Sequence, residues 1–316
     1  MSHLSWIQRQ WIAWDYGVLL PLLARLPLSW GRCLAAWRGL LYAWLKRDWR
    51  QLSFQDQSLY RRTQQTLGRL LPEAGALALT QAVAQRYQMQ SIEEWEAACM
   101  IIGRDISQWP VSYEGLDGML ALLQEHPRVV FLTGHFGSSI LGTVLLQRLG
   151  LPVLGMSSNI VDDPRVHPRI GRFYRQKYAA MGRYLNGGQI LDRQGNASKF
   201  VRFLQRGGAV VIVGDLPADP NESALVKPFL GVSCGFAPGA VKLAKIAQAP
   251  LMGFVCEFHA GIHHLRFSAP GEDPYTFIGQ AIRRHPSAWW AADVLPLMML
   301  ETSSGMENTA DLNANI

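Results

Sequence analysis

A histidine and an aspartate each follow an apolar run of the kind that forms a buried strand. His135 lies in the turn Gly-His-Phe-Gly after residues 128–133, and Asp215 follows residues 209–213 in the same way. Ligand sites of open α/β sheets lie at the carboxyl ends of strands. Histidine is also the side chain best suited to moving a proton near neutral pH. His135 is therefore the leading candidate for a general base, with a helix-capping or buried structural histidine as the alternative.

The segments around these two residues alternate between helical and strand patterns. The run 209–213 is apolar throughout, which is typical of a parallel strand covered on both faces. The alternation predicts an α/β fold, with a mixed, mostly parallel sheet flanked by helices, over residues 115–295. Further strands are predicted at 152–156, 250–256 and 264–268, and helices at 115–127, up to 149, from 163 onwards, and at 197–206, 236–247 and 275–284.

The preceding stretch, 51–114, is predicted to be a helical region. A basic amphipathic helix ends before Pro72, and a second helix covers 76–88. A third is predicted to begin at Ser91, because Ser91 and Glu94 have the S-x-x-E spacing of a capping box. At the other end of the chain, the polar tail 296–316 is predicted to be disordered.

Residues 1–50 carry seven of the eleven tryptophans, interleaved with arginine, leucine and alanine. This composition is typical of a segment at a bilayer interface. A membrane-spanning helix needs about 20 mostly apolar residues, whereas the longest uncharged run here is 16–24. The pattern therefore predicts a monotopic membrane anchor and not a cleaved signal peptide. A tryptophan-rich helix pair packed on the domain is the alternative, and both can hold together.

The overall composition also favours a membrane surface. Hydrophobic residues make up 49% of the 316 positions and charged residues 17%, against roughly 25% charged in soluble proteins. Residues 1–62 have nine Lys/Arg against three Asp/Glu, and residues 161–206 have ten against three. Two basic regions imply anionic partners. Anionic lipid headgroups or an acidic carrier protein fit the apolar composition better than nucleic acid, for which no binding motif is present.

Other chemistry-bearing groups give weaker indications. The four cysteines lack CxxC spacing, which argues against a disulfide framework or zinc site and favours a reducing compartment. His259, His263 and His264 have no carboxylate or cysteine at ligand spacing, so a metal site is not predicted there. Gly-Val-Ser-Cys-Gly at 231–235 matches the G-x-S-x-G pattern of serine hydrolases, but a lysine and a proline interrupt the run before Ser233, where a nucleophile elbow needs a buried strand.

Taken together, these segments resemble the lipid A late acyltransferases, the bacterial lauroyl/myristoyl transferase family within the lysophospholipid acyltransferase-like superfamily. The resemblance extends over nearly the whole chain, and its order and spacing are more specific than any one piece. Its parts are the Trp-rich start, Arg-Arg to Leu-Leu-Pro-Glu (61–73), Phe-Leu-Thr-Gly-His-Phe-Gly (131–137), the arginine helix, Gly-Gly-Ala-Val-Val-Ile-Val-Gly-Asp (207–215), Val-Lys-Pro-Phe-Leu-Gly (226–231), Pro-Gly-Ala to Leu-Ala (238–244), and Ala-Ile-Arg-Arg-His-Pro to Trp-Trp (281–290).

The resemblance implies transfer of a fatty acyl chain from acyl carrier protein to a hydroxyl of a membrane glycolipid. It places the protein at the cytoplasmic face of the inner membrane, as a peripheral or monotopic protein. No metal or bound organic cofactor is implied, because the acyl thioester is a co-substrate. The oligomeric state and the acceptor stay open: another glycolipid, an exopolysaccharide or polyketide-type acceptor, or an ornithine-like lipid fits as well as lipid A.

The family's catalytic motif, His-x4-Asp/Glu, is only half present. His135 matches the base, which removes the proton of the acceptor hydroxyl, but the acid position is Ile140. Either another carboxylate supports His135, or the protein is a degenerate acyltransferase that binds lipid or carrier protein without chemistry. Asp215 is the best candidate for that carboxylate, and Asp162, Asp163 and Glu222 are weaker ones.

The resemblance also maps further polar positions of the family onto Arg175, with Arg172 as the alternative, and onto Asp215. Arg175, or less surely Arg172, is predicted to bind substrate phosphate or the phosphopantetheine of the carrier, because a guanidinium holds phosphate in a bidentate manner. Gly134 and Gly137 are predicted to let the backbone approach the reacting carbonyl as an oxyanion site, with Ser138 beside them among the substrate-binding residues. The basic run that the family carries after its C-terminal tryptophan is absent after Trp290.

Overall fold

A computed structural model describes residues 5–158, 162–219 and 222–300. Seven strands form one sheet in the order β1-β9-β8-β2-β5-β3-β4, and β6 and β7 form a separate hairpin. The strands are β1 Val111–Glu114, β2 Val129–Thr133, β3 Val153–Ser157, β4 Ile190–Asp192, β5 Ala209–Val213, β6 Leu225–Phe229, β7 Val232–Phe236, β8 Leu251–His259 and β9 Ile262–Phe267.

Helices cover both faces of this sheet and form the N-terminal region. They are α1 Trp6–Trp14, α2 Leu20–Leu23, α3 Leu28–Trp44, α4 Trp49–Phe54, α5 Leu59–Leu70, α6 Ala76–Ile101, α7 Leu116–Glu125, α8 Ser139–Leu145, α9 Pro168–Gly182, α10 Ala197–Gln205, α11 Gly239–Ala247, α12 Pro274–Arg284 and α13 Leu295–Met298. A π-helical turn, Asp15–Leu19, joins α1 to α2.

The centre of the sheet is buried on both faces, as the apolar runs predict. Along β2, Val129 and Phe131 belong to one apolar cluster and Val130 and Leu132 to another, because successive side chains of a strand point to opposite faces. β2 pairs in parallel with β5 and β8, whereas β8 and β9 are antiparallel. The predicted mixed, mostly parallel sheet flanked by helices is confirmed.

Several boundaries differ from the predictions. The helices predicted at 76–88 and from Ser91 are one helix, α6, in which the Ser91 hydroxyl does not act as a cap and accepts a hydrogen bond from Arg38. β1 lies inside the stretch predicted to be helical and pairs with β9, so the sheet begins before the predicted boundary at residue 115. β4 and the hairpin β6–β7 were not predicted. Within the tail 296–316, Met298 ends α13, and 301–316 lie outside the described residues.

The tryptophan-rich region is packed on the domain and also exposes apolar side chains. α3 packs along α6, and Gly31 and Gly39 allow this close approach because a Cβ at either would meet α6 atoms within 3 Å. The opposite side of α3 exposes a stripe of five apolar residues, Trp30, Leu34, Trp37, Leu41 and Trp44. No helix in the described ranges combines the length and apolar character that crossing a bilayer requires.

Candidate active site

The register of the central strands brings His135 and Asp215 together. Thr133 at the end of β2 pairs with Val213 at the end of β5, and His135 and Asp215 each follow two residues later. The Nδ1 atom of His135 lies 2.7 Å from Oδ1 of Asp215, and the His135 amide donates to Oδ2, also at 2.7 Å. A carboxylate at Nδ1 selects the tautomer that leaves Nε2 unprotonated, which is the arrangement of a general base.

The same edge of the sheet carries two tryptophans. The Trp289 indole N–H donates to Oδ2 of Asp215 at 2.7 Å. The Trp290 amide donates to the His135 carbonyl, and the Trp290 ring lies edge-on to the imidazole at a centroid distance of 4.4 Å. These two residues were not predicted as site residues. Their tandem position in the sequence was the available signal, but it does not reveal a contact with Asp215, which is 74 positions away.

Asp215 is held in its charged form although it is buried. Burial raises the pKa of its carboxyl group, but the positive charge of His135 and hydrogen bonds from the His135 ring, the Trp289 indole and the His135 amide outweigh burial. The pKa of Asp215 is therefore below its usual value. The side chain of His135 keeps 20% of its surface exposed, against 1% for Asp215. The His135 ring is thus partly open to solvent, whereas the Asp215 carboxylate is closed off from it.

The glycines of the turn permit close packing around this pair. A Cβ on Gly134 would approach Oδ2 of Asp215 to 3.1 Å, and one on Gly137, where φ is +58°, would lie 2.2 Å from the Cys256 carbonyl oxygen. The Gly137 amide donates to the Ala288 carbonyl and the Ser138 amide to that of Cys256. Both amides are thus engaged within the protein, and the oxyanion role of the glycines stays a prediction.

The position of the missing motif acid is part of the apolar core. Ile140 is partly buried and packs against the cluster that contains Val129 and Phe131. Of the carboxylates considered as substitutes, Asp215 contacts His135. Asp162 and Asp163 instead pair with Arg175 and Arg165, respectively, and Glu222 is exposed.

Arg172 and Arg175, which were predicted to bind anions, are not among the residues described above as contacting His135 and Asp215. Arg172 and Arg175 are exposed on α9, and Arg175 donates to Asp162 at 2.6 Å. The buried cation of this helix is Lys177, which lies 3.4 Å from Glu93 on α6. The substrate-binding role of Arg172 and Arg175 stays a prediction.

Three buried carboxylates of α6 were missed by the sequence analysis. Glu93 accepts from Ser139 at 3.5 Å, and Glu96 accepts from Ser138 at 2.8 Å. Glu94 pairs with Arg38 of α3. The sequence Glu-Glu-Trp-Glu suggests a solvated helix face, and no local pattern shows that tertiary packing buries it. The first turn of α8 is therefore tied to α6 by two serine hydroxyls.

The weaker candidates do not form sites in the described part of the chain. Ser233 lies inside strand β7 and pairs with Pro228, so the strand-to-helix elbow of a serine hydrolase is absent there. His263 is buried beside Glu96 and stacks on Trp109, while His264 contacts Ser112. No group of three or more His, Cys, Asp or Glu side chains in the described ranges could hold a metal ion.

The fold is α/β, and a His135–Asp215 pair lies at the carboxyl edge of its sheet. A sequence model of the bacterial lipid A biosynthesis acyltransferases matches residues 2–272. Because the match covers most of the chain, the protein belongs to the bacterial lipid A biosynthesis acyltransferase family. Membership implies acyltransferase activity in lipid biosynthesis. A search of curated proteins gave no significant match.

Proposed function

We propose that this protein moves a fatty acyl chain from the thioester of acyl carrier protein to a hydroxyl or amine of a glycolipid or related membrane lipid. The observation that carries this proposal is the contact between Nδ1 of His135 and the Asp215 carboxylate. It supplies the orienting acid that the His-x4-Asp/Glu motif lacks at Ile140. Membership of the lipid A acyltransferase family supports the reaction class.

In the proposed reaction, Nε2 of His135 takes the proton of the acceptor group as the acceptor oxygen or nitrogen attacks the thioester carbon. The carbon–sulfur bond then breaks, and the imidazolium returns the proton to the departing thiolate, so that the products are the acylated lipid and the free carrier thiol. Asp215 stabilises the imidazolium between these steps. The bond exchange involves no change of oxidation state and therefore needs no redox cofactor.

We also propose that the reaction occurs at the cytoplasmic face of the inner membrane, with the protein bound as a monotopic or peripheral protein. The stripe on α3 supports this proposal, because its residues are spaced by four and three positions and are exposed along 15 residues of helix. Tryptophan favours the headgroup region of a bilayer. The excess of Lys/Arg in residues 1–62 adds attraction to anionic lipid.

The anionic parts of the two substrates would meet the exposed arginines of α9. Arg172 and Arg175 have the geometry to bind phosphate in a bidentate manner, and Arg172 is exposed. Phosphate on the lipid or on the phosphopantetheine arm is the chemical group that these side chains would bind.

The test of catalysis uses the purified full chain with carrier protein bearing a labelled fatty acid and a bacterial membrane lipid extract. Label transfer to lipid by the wild type, and its loss in His135→Ala, is the expected result. His264→Ala is a matched control, because the His264 ring contacts Ser112 and the His259 carbonyl and is not part of the His135–Asp215 pair. Transfer that survives His135→Ala would refute the role of His135. Failure of the wild type with every acceptor would favour a protein that binds lipid or carrier without chemistry.

The test of membrane binding is sedimentation with vesicles of zwitterionic and anionic lipid. Changing Trp30, Trp37 and Trp44 together to serine is expected to release the protein into the supernatant. The matched control changes three exposed apolar residues elsewhere, Val226, Ile246 and Leu297, to serine and is expected to keep binding. Equal loss in both variants would show that α3 is not the membrane-binding surface.

A further inference from the structure

The segment 286–290 lies against the His135 turn and contacts it at several points. The Gly137 amide donates to the Ala288 carbonyl at 3.0 Å, and the Trp290 amide donates to the His135 carbonyl at 3.0 Å. Phe136 and Trp289 form an antiparallel bridge. This segment follows the part of the chain that matches the family model, which ends at residue 272. The resemblance of the sequence to the family nevertheless extends through this segment to Trp290.

Within this segment, the Trp289 side chain makes a hydrogen bond in addition to its apolar packing. Its side chain is fully buried, and its ring packs edge-on against Phe229. Its indole N–H, which can only donate, is directed at Oδ2 of Asp215. The His135 amide donates to the same oxygen. Two donors on Oδ2 fix the plane of the carboxylate, so that Oδ1 faces the ring of His135.

We propose that Trp289 is a positioning residue for acyl transfer, whose indole N–H holds the Asp215 carboxylate in line with Nδ1 of His135. This inference rests on the proposed function of the His135–Asp215 pair. Position 140, where the family motif places its acid, lies in the first turn of α8, the helix that follows His135. In this protein the acid comes from the neighbouring strand β5, and the indole supplies the orientation that a helix would otherwise give.

A buried tryptophan elsewhere in the chain provides a matched comparison. Trp95 is also buried, and its indole N–H donates to the Leu23 carbonyl at 3.1 Å. Its acceptor is a neutral backbone group in the packing of α6, not a carboxylate. Trp289→Phe and Trp95→Phe therefore each remove one buried indole hydrogen bond, but only the first is expected to affect the chemistry.

The first experiment measures kcat and KM for acyl transfer in these variants. Trp289→Phe is expected to lower kcat by about 10- to 100-fold, the range for a lost hydrogen bond to a charged group, with KM nearly unchanged. Trp95→Phe is expected to keep the wild-type kcat and to lower thermal stability. In an Asp215→Asn background, Trp289→Phe is expected to cause less than about a twofold further loss, because paired residues are not additive. Losses that multiply would overturn the proposal.

The second experiment does not depend on turnover. The Nδ1 proton of His135 is observed by ¹⁵N-edited NMR across a pH series, in the full chain in detergent. We expect Trp289→Phe to shift this proton upfield and Trp95→Phe to leave its position unchanged. An unchanged His135 signal in Trp289→Phe would overturn the positioning role even if the protein transfers acyl groups. A shifted signal in a protein without transfer would instead refute the proposed function.

A failure of Trp289→Phe to fold would not prevent the test. Replacing Trp289 with β-(3-benzothienyl)alanine keeps the two-ring shape and substitutes sulfur for the N–H group. This variant removes the donor without creating a cavity, and the same kcat and NMR outcomes are expected. Wild-type kcat and an unshifted Nδ1 proton in this variant would refute the proposal.

Discussion

Asp215 and Glu93 are both buried carboxylates whose ionisation is coupled to His135, yet their pKa values move in opposite directions. Asp215 is 2% exposed and Glu93 4%. Burial raises the pKa of Glu93, and the positive charges of Lys177 and His135 only partly offset it. For Asp215 the charge and hydrogen bonds outweigh burial, and the pKa is lowered. The two groups differ in how closely donors approach them.

Donor contacts, and not burial, decide the direction in which the pKa of each carboxyl group moves. Asp215 has contacts at 2.7 Å from the His135 ring, the His135 amide and the Trp289 indole. Glu93 has contacts at 3.4 Å from Lys177 and 3.5 Å from Ser139. Glu96, one turn further along α6, is also fully buried, but a hydrogen bond from His263 and the charge of Arg32 lower its pKa. The fixed negative charge beside His135 is therefore Asp215.

Replacing Asp215 by asparagine is the strongest test of the difference between Asp215 and Glu93. The amide keeps the shape but cannot stabilise an imidazolium, and the equivalent change in a serine protease lowers kcat by about 10⁴. We expect a fall of similar size, measured as the rate of acyl transfer with carrier-bound substrate. A loss below about tenfold would mean that another carboxylate supports His135.

Restoring the family's acid at position 140 tests whether the apolar setting excludes it. Ile140→Asp places an unpaired carboxyl against an apolar cluster, and we expect it to lower the free energy of unfolding by about 2–4 kcal/mol. Urea denaturation measures this change, with Ile140→Val as the control that keeps an apolar side chain. In the Asp215→Asn background, Ile140→Asp is expected not to restore transfer. Restored activity would show that the family's geometry is still available here.

Glu93→Gln should have a much smaller effect on transfer than Asp215→Asn. Burial raises the pKa of Glu93, so its site favours the protonated acid more than water does, and glutamine resembles the protonated acid. We expect kcat within about tenfold of wild type, against the ~10⁴ expected for Asp215. A fall comparable to that of Asp215→Asn would show that Glu93 acts as a charged group in the reaction.

The contributions of Asp215 and Glu93 to the free energy of unfolding should change with pH in opposite directions. For Asp215, whose folded pKa is lowered, the stabilisation is present above the unfolded value of about 3.9 and is lost as pH falls through the folded pKa. For Glu93, whose folded pKa is raised, the stabilisation is present below the unfolded value of about 4.3 and is lost as pH rises through the folded pKa.

Unfolding free energies measured by urea titration from pH 3 to pH 7 check these signs. Relative to wild type, Asp215→Asn should lose stability at neutral pH and converge on wild type in acid. The free energy of unfolding of Glu93→Gln, relative to that of wild type, should instead increase as pH rises. Parallel curves for both variants would contradict the assigned difference between the sites.

Much of the fold follows from local patterns. The apolar run 209–213 predicted a doubly covered parallel strand, and β5 is one. Sequence patterns predicted element boundaries wrongly where a side chain makes a tertiary contact in place of the expected local one. Ser91 has the spacing of a helix cap, but it lies inside α6. Its hydroxyl contacts Arg38 of α3. β4, with three residues, is too short to leave a periodic signal.

The sequence alone shows that His135 and Asp215 follow apolar runs typical of buried strands and that position 140 lacks an acid. It did not determine that β2 and β5 are neighbours, because strand order is not encoded in the order of the chain. Only the tertiary structure placed Asp215 at Nδ1 of His135, brought the Trp289 indole to the same carboxylate and buried the carboxylates of α6. Hydrophobic periodicity specifies which face of an element is buried, whereas the partner of a polar side chain depends on which distant segment packs against that face.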